Sequence, residues 1–191
     1  GIQGELELRR NACKPGDIIL TTGIHGLSKL GFMIQNKKIK LDNNISLNER
    51  LIRKSIEHFC RPKVYTDFLK NLLKTRSNKK IKKIGCTDSS DGLFQAVQDL
   101  AIASKCKAIL NYKKIPKDAD WPKGDKWDEY YLFGGEDYEL IFSLPRKWAE
   151  KLSKLDKNIN EIGYFTKGEP SIEFLDDNKN KLLKNKPFKH F

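Results

Sequence analysis

The chain has 191 residues, 38% hydrophobic and 32% charged, with a formal net charge of +12 at pH 7. That is enough for one well-cored domain with or without an appendage, and no stretch approaches the roughly 18 apolar residues of a membrane-spanning helix. Only seven of the 37 basic residues are arginine, the residue of bidentate phosphate and base recognition, so the charge reads as a lysine-solvated surface, with attraction of anionic ligands as the main alternative and nucleic acid not expected.

In chain order, KPGDIILTTG (14–23) has turn chemistry, then a short β-rich run and a glycine, and reads as a turn and a strand. GIHGLSKLGFMIQ, with Gly23, Gly26 and Gly31, reads as a glycine-rich loop entering a helix. SLNERLIRKSIEHF (46–59) opens with the capping box Ser46-x-x-Glu49 and carries Leu47, Leu51, Ile52 and Ile56 on a helical stripe, until Arg61-Pro62 ends it. YTDFLKNLLKTR (65–76) reads as a second helix with Phe68, Leu69, Leu72 and Leu73 inward. Residues 80–86 read as a strand, and GLFQAVQDLAIASK (92–105) as a helix with Leu93, Val97, Leu100 and Ala101 inward. CKAILNY (106–112) is the next strand and is followed by a long loop. KWDEYYL (126–132) is a short helix stopped by Gly134-Gly135, and YELIFSL (138–144) a strand. Pro145 suits the first turn of a helix. EIGYF and SIEFL come close enough to pair as a hairpin, and a lysine-rich tail ends in KPFKHF. The irregular alternation argues for an α+β sandwich with a mixed β-sheet, with helices packed on it, rather than a doubly wound parallel sheet. The start, GELELRR, reads as a strand already under way.

Cys13, Cys60, Cys86 and Cys106 form no C-x-x-C pair, and His25, His58 and His190 have no zinc-type spacing. The cysteines therefore read as reduced, mostly buried thiols. The N-terminus lacks the layout of a signal peptide, so the expectation is a cytosolic protein.

The segment TDSSDGL (87–93) crowds two carboxylates and two hydroxyls between a strand and a helix. A single Asp91 or Ser90 would be a helix cap. Asp88, at the strand end, has no capping to do, and two carboxylates this close repel unless a cation lies between them. Hard cations such as Mg²⁺ take one or two carboxylates plus substrate phosphates, and helix-start N–H groups take phosphate oxygens. The cluster therefore fits either an over-furnished cap or a metal-bridged polyphosphate. In LFGGEDYELIF (132–142), Gly134-Gly135 permits close backbone approach, with Glu136 and Asp137 at the lip of a strand; a polar loop before a strand is the plainer reading. Arg10, beside Arg9, is a strand-surface charge or a phosphate contact. Phe188 and Phe191, flanking His190, suggest a tail that docks back. GIHGLSKLG lacks the Gly-Lys-Ser/Thr of a Walker loop.

In order, LRRNACKPGDIILTTG (8–23), TDSSDGL, LFGGEDYELIF, EIGYF (161–165) and the terminal FKHF (188–191) resemble the C-terminal portion of the thiamine-monophosphate kinase family, within the AIR synthase-like superfamily. The resemblance implies an AIR synthase C-terminal-domain-like sandwich and transfer of the γ-phosphoryl of ATP to thiamine monophosphate, in line and without a phosphoenzyme. It implies Asp88 and Asp91 as Mg²⁺ ligands, Arg10 and Ser90 as ATP contacts, Glu136 as a substrate contact and Phe188 as the aromatic beside the thiamine moiety. It assigns no single catalytic side chain. Leu27 stands where the family often has Asp after the glycine, which leaves the glycine-rich loop without an inherited role. The resemblance also makes residues 1–9 the last strand of an N-terminal domain that would carry further acidic ligands and a homodimer interface, and 10–191 the C-terminal domain. On that expectation the 191 residues alone do not turn over. The competing readings are another ATP-dependent member of the superfamily and a non-catalytic basic binding module.

Overall fold

The computed structural model describes residues 4–39, 47–63, 65–76, 78–176 and 180. Among these, seven strands form one mixed sheet: β1 (Glu7–Arg9), β2 (Asp17–Thr22), β3 (Lys83–Asp88), β4 (Lys107–Leu110), β5 (Leu140–Pro145), β6 (Ile159–Thr166) and β7 (Ser171–Phe174). Their spatial order is β1-β3-β5-β2-β6-β4-β7. The outer pairs, β1–β3 and β4–β7, are parallel and the pairs between them antiparallel. The helices are α1 (Leu27–Gln35), α2 (Glu49–Cys60), α3 (Asp67–Thr75), α4 (Leu93–Ser104), α5 (Asp125–Phe133) and α6 (Arg146–Leu155). This is the α+β class with a mixed sheet that the sequence suggests.

β2 lies mid-sheet, and all six of its residues are buried. Successive side chains point to opposite faces. Ile19 joins a core with Leu27 and Leu30 of α1, Leu51 of α2, Leu93 of α4 and Leu132 of α5. Ile18 and Leu20 join the other core, with Phe68 and Leu72 of α3 and Trp148 and Leu152 of α6. Helices therefore cover both faces, which is why the run is continuously apolar rather than alternating. Each such side chain contributes about 1.5–3 kcal/mol of burial.

Several local expectations need correction. EIGYF and SIEFL do not pair with each other. β6 and β7 run antiparallel, as hairpin strands do, but β4 lies between them and hydrogen-bonds to both. The four-residue link 167–170 passes over the start of β4, where Gly168 sits against Lys107. α3 buries Phe68 and Leu72, whereas Leu69 and Leu73 are 51% and 47% exposed. One stripe at i, i+4 suffices because α3 lies on one face of the sheet: Phe68 packs on Phe142 of β5 with ring centroids 4.7 Å apart, and Trp148 Nε1 of α6 donates to the Leu72 carbonyl at 3.2 Å. α2 starts at Glu49, capped by Asn48, whose side chain accepts from the Arg50 amide at 2.8 Å. Ser46 lies outside the described residues. Pro145 ends β5 and stands one residue before α6. The strand placed at 80–86 is shifted to Lys83–Asp88, because its ladder with β5 runs on to the Asp88–Leu140 pair. Cys13, Cys86 and Cys106 are buried thiols, and Cys60 is an exposed one.

Candidate functional site

β3 ends at Thr87 and Asp88; Asp88 has the parity of Ile84 and Cys86, which pack on the α3/α6 side, and Thr87 faces the other way. The chain then turns sharply into α4. Ser89 is fully buried: its amide donates to the Glu139 carbonyl at 2.8 Å, and its hydroxyl accepts from the Glu139 amide at 3.0 Å. Of the two serines, Ser89 is thus a structural clamp extending the β3–β5 ladder, while Ser90 remains half-buried. The N-cap of α4 is Gly92, at φ 95°, not a serine or aspartate. A Cβ there would lie 2.9 Å from the Gly134 carbonyl oxygen. Asp88 and Asp91 are both half-buried.

The second motif folds directly onto this turn. Gly134 closes α5, its amide donating to the Tyr130 carbonyl at 2.9 Å. Gly135 packs so closely that any side chain would run into the Ser90 carbonyl. The Glu136 amide donates to that same carbonyl at 2.8 Å. TDSSDGL and LFGGEDYELIF, about forty residues apart, are thus one backbone-locked unit. Glu136 and Tyr138 both have positive φ, 70° and 54°, a conformation that non-glycine residues hold only when their surroundings fix it. The Tyr138 hydroxyl donates to Glu136 Oε2 at 2.5 Å. That bond, a little burial and the Glu136 and Asp88 charges raise the Tyr138 pKa, so Asp88, Glu136 and Tyr138 share one neighbourhood. A cleft of about 280 Å³, lined by Pro62, Lys63, Tyr65, Tyr138 and Leu140, opens beside it.

Arg10 opens a short 3-10 turn after β1. Its Nε donates to Thr87 Oγ1 at 3.1 Å, and its guanidinium lies 3.9 Å from Asp99 of α4. It is therefore anchored one residue from Asp88, with its side chain 60% exposed. Phe188 and the terminal aromatics lie outside the described residues. The structure thus brings Arg10, Asp88, Ser90, Asp91 and Glu136 to one edge of the sheet.

The glycine-rich loop is not a phosphate cradle. The amides of Gly26 and Ser28, at the start of α1, donate to Asp137 at 2.6 and 2.9 Å. A carboxylate of the chain itself fills the anion position. Gly23 stands beside it at φ 56°, a conformation that favours glycine, with the Glu139 carboxylate packed against it. Glu139 accepts from Thr22 Oγ1 at 2.5 Å, and burial raises its pKa despite that bond. Asp137 and Glu139 are functional-looking residues whose structural role the sequence reading missed.

The donor set fits a hard divalent cation bound partly through substrate: two half-buried carboxylates beside a serine. Among the described residues there is no group of three or more His, Cys, Asp or Glu that could hold a metal by itself. No helix among them is long and apolar enough to cross a membrane.

Thiamine-monophosphate kinase of Prochlorococcus marinus is 34% identical over 191 residues, covering 100% of this chain and 57% of that protein. The thiamine-monophosphate kinase of Synechococcus elongatus is 31% identical, covering 96% of this chain and 54% of that protein. The chain spans about half the length of the curated relatives it matches. Among solved structures, AaThiL complexed with AMPPCP and TMP superposes with a TM-score of 0.72 at 26% identity, covering 97% of this chain and 55% of that one. The model of the family described as AIR synthase related protein, C-terminal domain, matches residues 14–175, most of the chain, and with the sheet and site just described the chain belongs to that family.

Proposed function

We propose that the whole protein carrying this chain transfers the γ-phosphoryl of ATP to thiamine monophosphate, giving thiamine diphosphate and ADP by direct in-line displacement. The observation that carries this reading is the locking of TDSSDGL onto GGEDYEL through the Ser90 carbonyl, which gathers Asp88, Ser90, Asp91 and Glu136 beside Arg10. The similarity of the whole of this chain to about half the length of thiamine-monophosphate kinases, and the AMPPCP and TMP bound by AaThiL, support the choice of substrates. Phosphoryl transfer needs positioning and charge neutralisation more than covalent chemistry, and no side chain here is required to form a bond to phosphorus. Asp88 and Asp91 would hold Mg²⁺, which when bound neutralises the charge of the phosphates. Arg10 and Ser90 contact the nucleotide, and Glu136 the substrate. Phe188 is assigned to the thiamine moiety by resemblance alone.

In this reading residues 1–9 close an N-terminal domain and 10–191 form the C-terminal one. The protein is cytoplasmic, a homodimer through that first domain, and binds neither membrane nor nucleic acid. Because Asp88 and Asp91 are only two carboxylates, further metal donors come from ligand phosphates, water or the N-terminal domain, and the 191 residues alone are not expected to turn over. One observation favours a second reading. An open groove of about 570 Å³ is lined by Lys14, Lys80, Lys82 and Lys83 together with Asn11–Cys13. A basic binding module would use it and would show steeply salt-dependent binding of nucleic acid.

The test is a substrate screen with the whole protein and ATP. Thiamine diphosphate as the sole phosphorylated product supports the kinase; turnover of a different acceptor moves the protein to another branch of the superfamily; salt-sensitive nucleic-acid binding without turnover favours the module.

A further inference from the structure

Asp137 stands between Glu136 and Tyr138 in sequence, yet it is 1% exposed where Tyr138 is 44% exposed. Its two oxygens take the free amides at the start of α1: Oδ2 accepts from Gly26 and Oδ1 from Ser28. It thus caps that helix from a distant loop. Two imidazoles complete its surroundings. His25 Nδ1, from the turn after β2, lies 4.0 Å from Oδ2, and His58 Nδ1, from α2, lies 3.8 Å from Oδ1. The Ser28 hydroxyl sits 3.0 Å from His58 Nδ1.

Among the described residues no lysine or arginine pairs with the carboxylate. Burial, with some help from His58, lowers the His25 pKa to about 3. Burial, then Lys54 and Lys63 and against Glu57, keeps that of His58 below its ordinary value. Both rings are therefore neutral near pH 7. Glu139, on the same loop, adds negative charge. Burial outweighs the amide bonds and raises the Asp137 pKa to about 7.

His25 provides an independent observation. We assign the Thr21 hydroxyl as donor to the Thr22 carbonyl at 3.1 Å and, across its 2.7 Å contact, as acceptor from the Nε2–H of His25. Nδ1 is then a bare acceptor. It is fully buried, has no hydrogen-bond partner, and faces the Asp137 carboxyl. Two buried acceptors face to face repel unless a proton lies between them.

We propose that Asp137 is a positioning residue for this site: it ties the turn before α1 to the Gly134–Glu139 loop, and with a proton shared toward His25 it sets where Glu136 and the Ser90 carbonyl stand. The mechanical route is short. Asp137 turned inward leaves Glu136 and Tyr138 turned outward at positive φ, and the Glu136 amide holds the Ser90 carbonyl of the Asp88–Asp91 turn. In the protonated state the proton on Oδ2 points toward His25 Nδ1, 4.0 Å away, and a small inward shift of the loop closes that gap to a hydrogen bond. When that proton leaves to solvent, the carboxylate keeps its two amide donors, Nδ1 loses its partner, and the loop relaxes around a buried charge.

The kinetic consequence rests on the kinase reading; the tie itself does not, and the two are tested separately. In the whole protein, the amide resonances of Gly26 and Ser28 are followed from about pH 5.5 to about 8.5, the range spanning a titration near neutrality. A common inflection near pH 7 is expected, and it should vanish in Asp137→Asn, whose amide donates permanently toward His25. In the kinetic arm, Asp137→Asn is expected to flatten the pH profile of kcat/KM between about pH 6 and 8 and to shift KM about tenfold, with kcat changed less. Wild-type amides that do not titrate overturn the proposal, and that result needs no variant to fold. An Asn variant that keeps the wild-type KM and pH profile overturns the positioning role. A protein that titrates as described but makes no thiamine diphosphate keeps the tie and sinks the kinase reading instead.

Discussion

α1 and α4 begin alike and end up with opposite uses. Each follows a glycine at positive φ, Gly26 at 88° and Gly92 at 95°, and each presents helix-start amides that attract negative charge. At α1 the charge is internal: Asp137 comes from another loop, is buried, and takes the Gly26 and Ser28 amides. At α4 the nearby carboxylates, Asp88 and Asp91, belong to the approaching chain and stay half-buried, where a ligand can reach them. The glycine-rich composition of 23–31 therefore marks a plugged helix start. The carboxylate-rich composition of 87–92 marks one left accessible.

The comparison can be broken hardest at the contact joining the two motifs. Gly135→Ala drives a Cβ into the Ser90 carbonyl, a backbone group that cannot swing away. A loss of about 3 kcal/mol is expected in chemical denaturation, together with loss of activity. Next, the two helix starts should separate cleanly on substitution. Asp137→Ala leaves buried amides unpaired and should destabilise by about 1–3 kcal/mol. Asp91→Ala, at the accessible start, should change stability by no more than about 0.5 kcal/mol.

A smaller effect sharpens the account of the plug. The Asp137 pKa is raised to about 7, so its stabilisation is complete below the ordinary value of 3.8 and is lost as pH rises through about 7. The His25 pKa is lowered to about 3, so its stabilisation is present above 6.5 and is lost as pH falls toward 3. Between pH 3.8 and 6.5 the two slopes oppose each other. Removing the first with Asp137→Asn should make Tm rise more steeply with pH across that window than in the wild type. The smallest effect is expected for Arg10→Lys. It forfeits the fork that bonds Thr87 while reaching outward, so KM for ATP should rise severalfold with stability changed by less than about 0.5 kcal/mol.

Much of the fold was legible because local pattern and burial agree. The continuous apolar run of β2 reflects helices on both faces, and the glycine stops around α5 and α4 fall where turns demand them. What was not legible is pairing across distance. Nothing local to EIGYF or SIEFL says that β4 will slot between them. Nothing local to α3 says that only Phe68 and Leu72 meet a partner, while Leu69 and Leu73 face solvent. In the site, Asp88, Ser90, Asp91 and Glu136 stood out by spacing and resemblance, and the structure brings them together. Ser89, Asp137 and Glu139 were obscured because polar residues beside a candidate ligand site look like more ligands. Their roles appear only once the Ser89–Glu139 and Asp137–Gly26 bonds are known.

The most direct test of the central claim, that the accessible helix start is the phosphoryl-transfer site, is thiamine diphosphate formation by the whole protein with Asp88→Asn and Asp91→Ala, measured beside Tm. The expected result is a fall on the order of 100-fold or more in kcat/KM for each, with Tm essentially unchanged. Wild-type rates in either folded variant would contradict it.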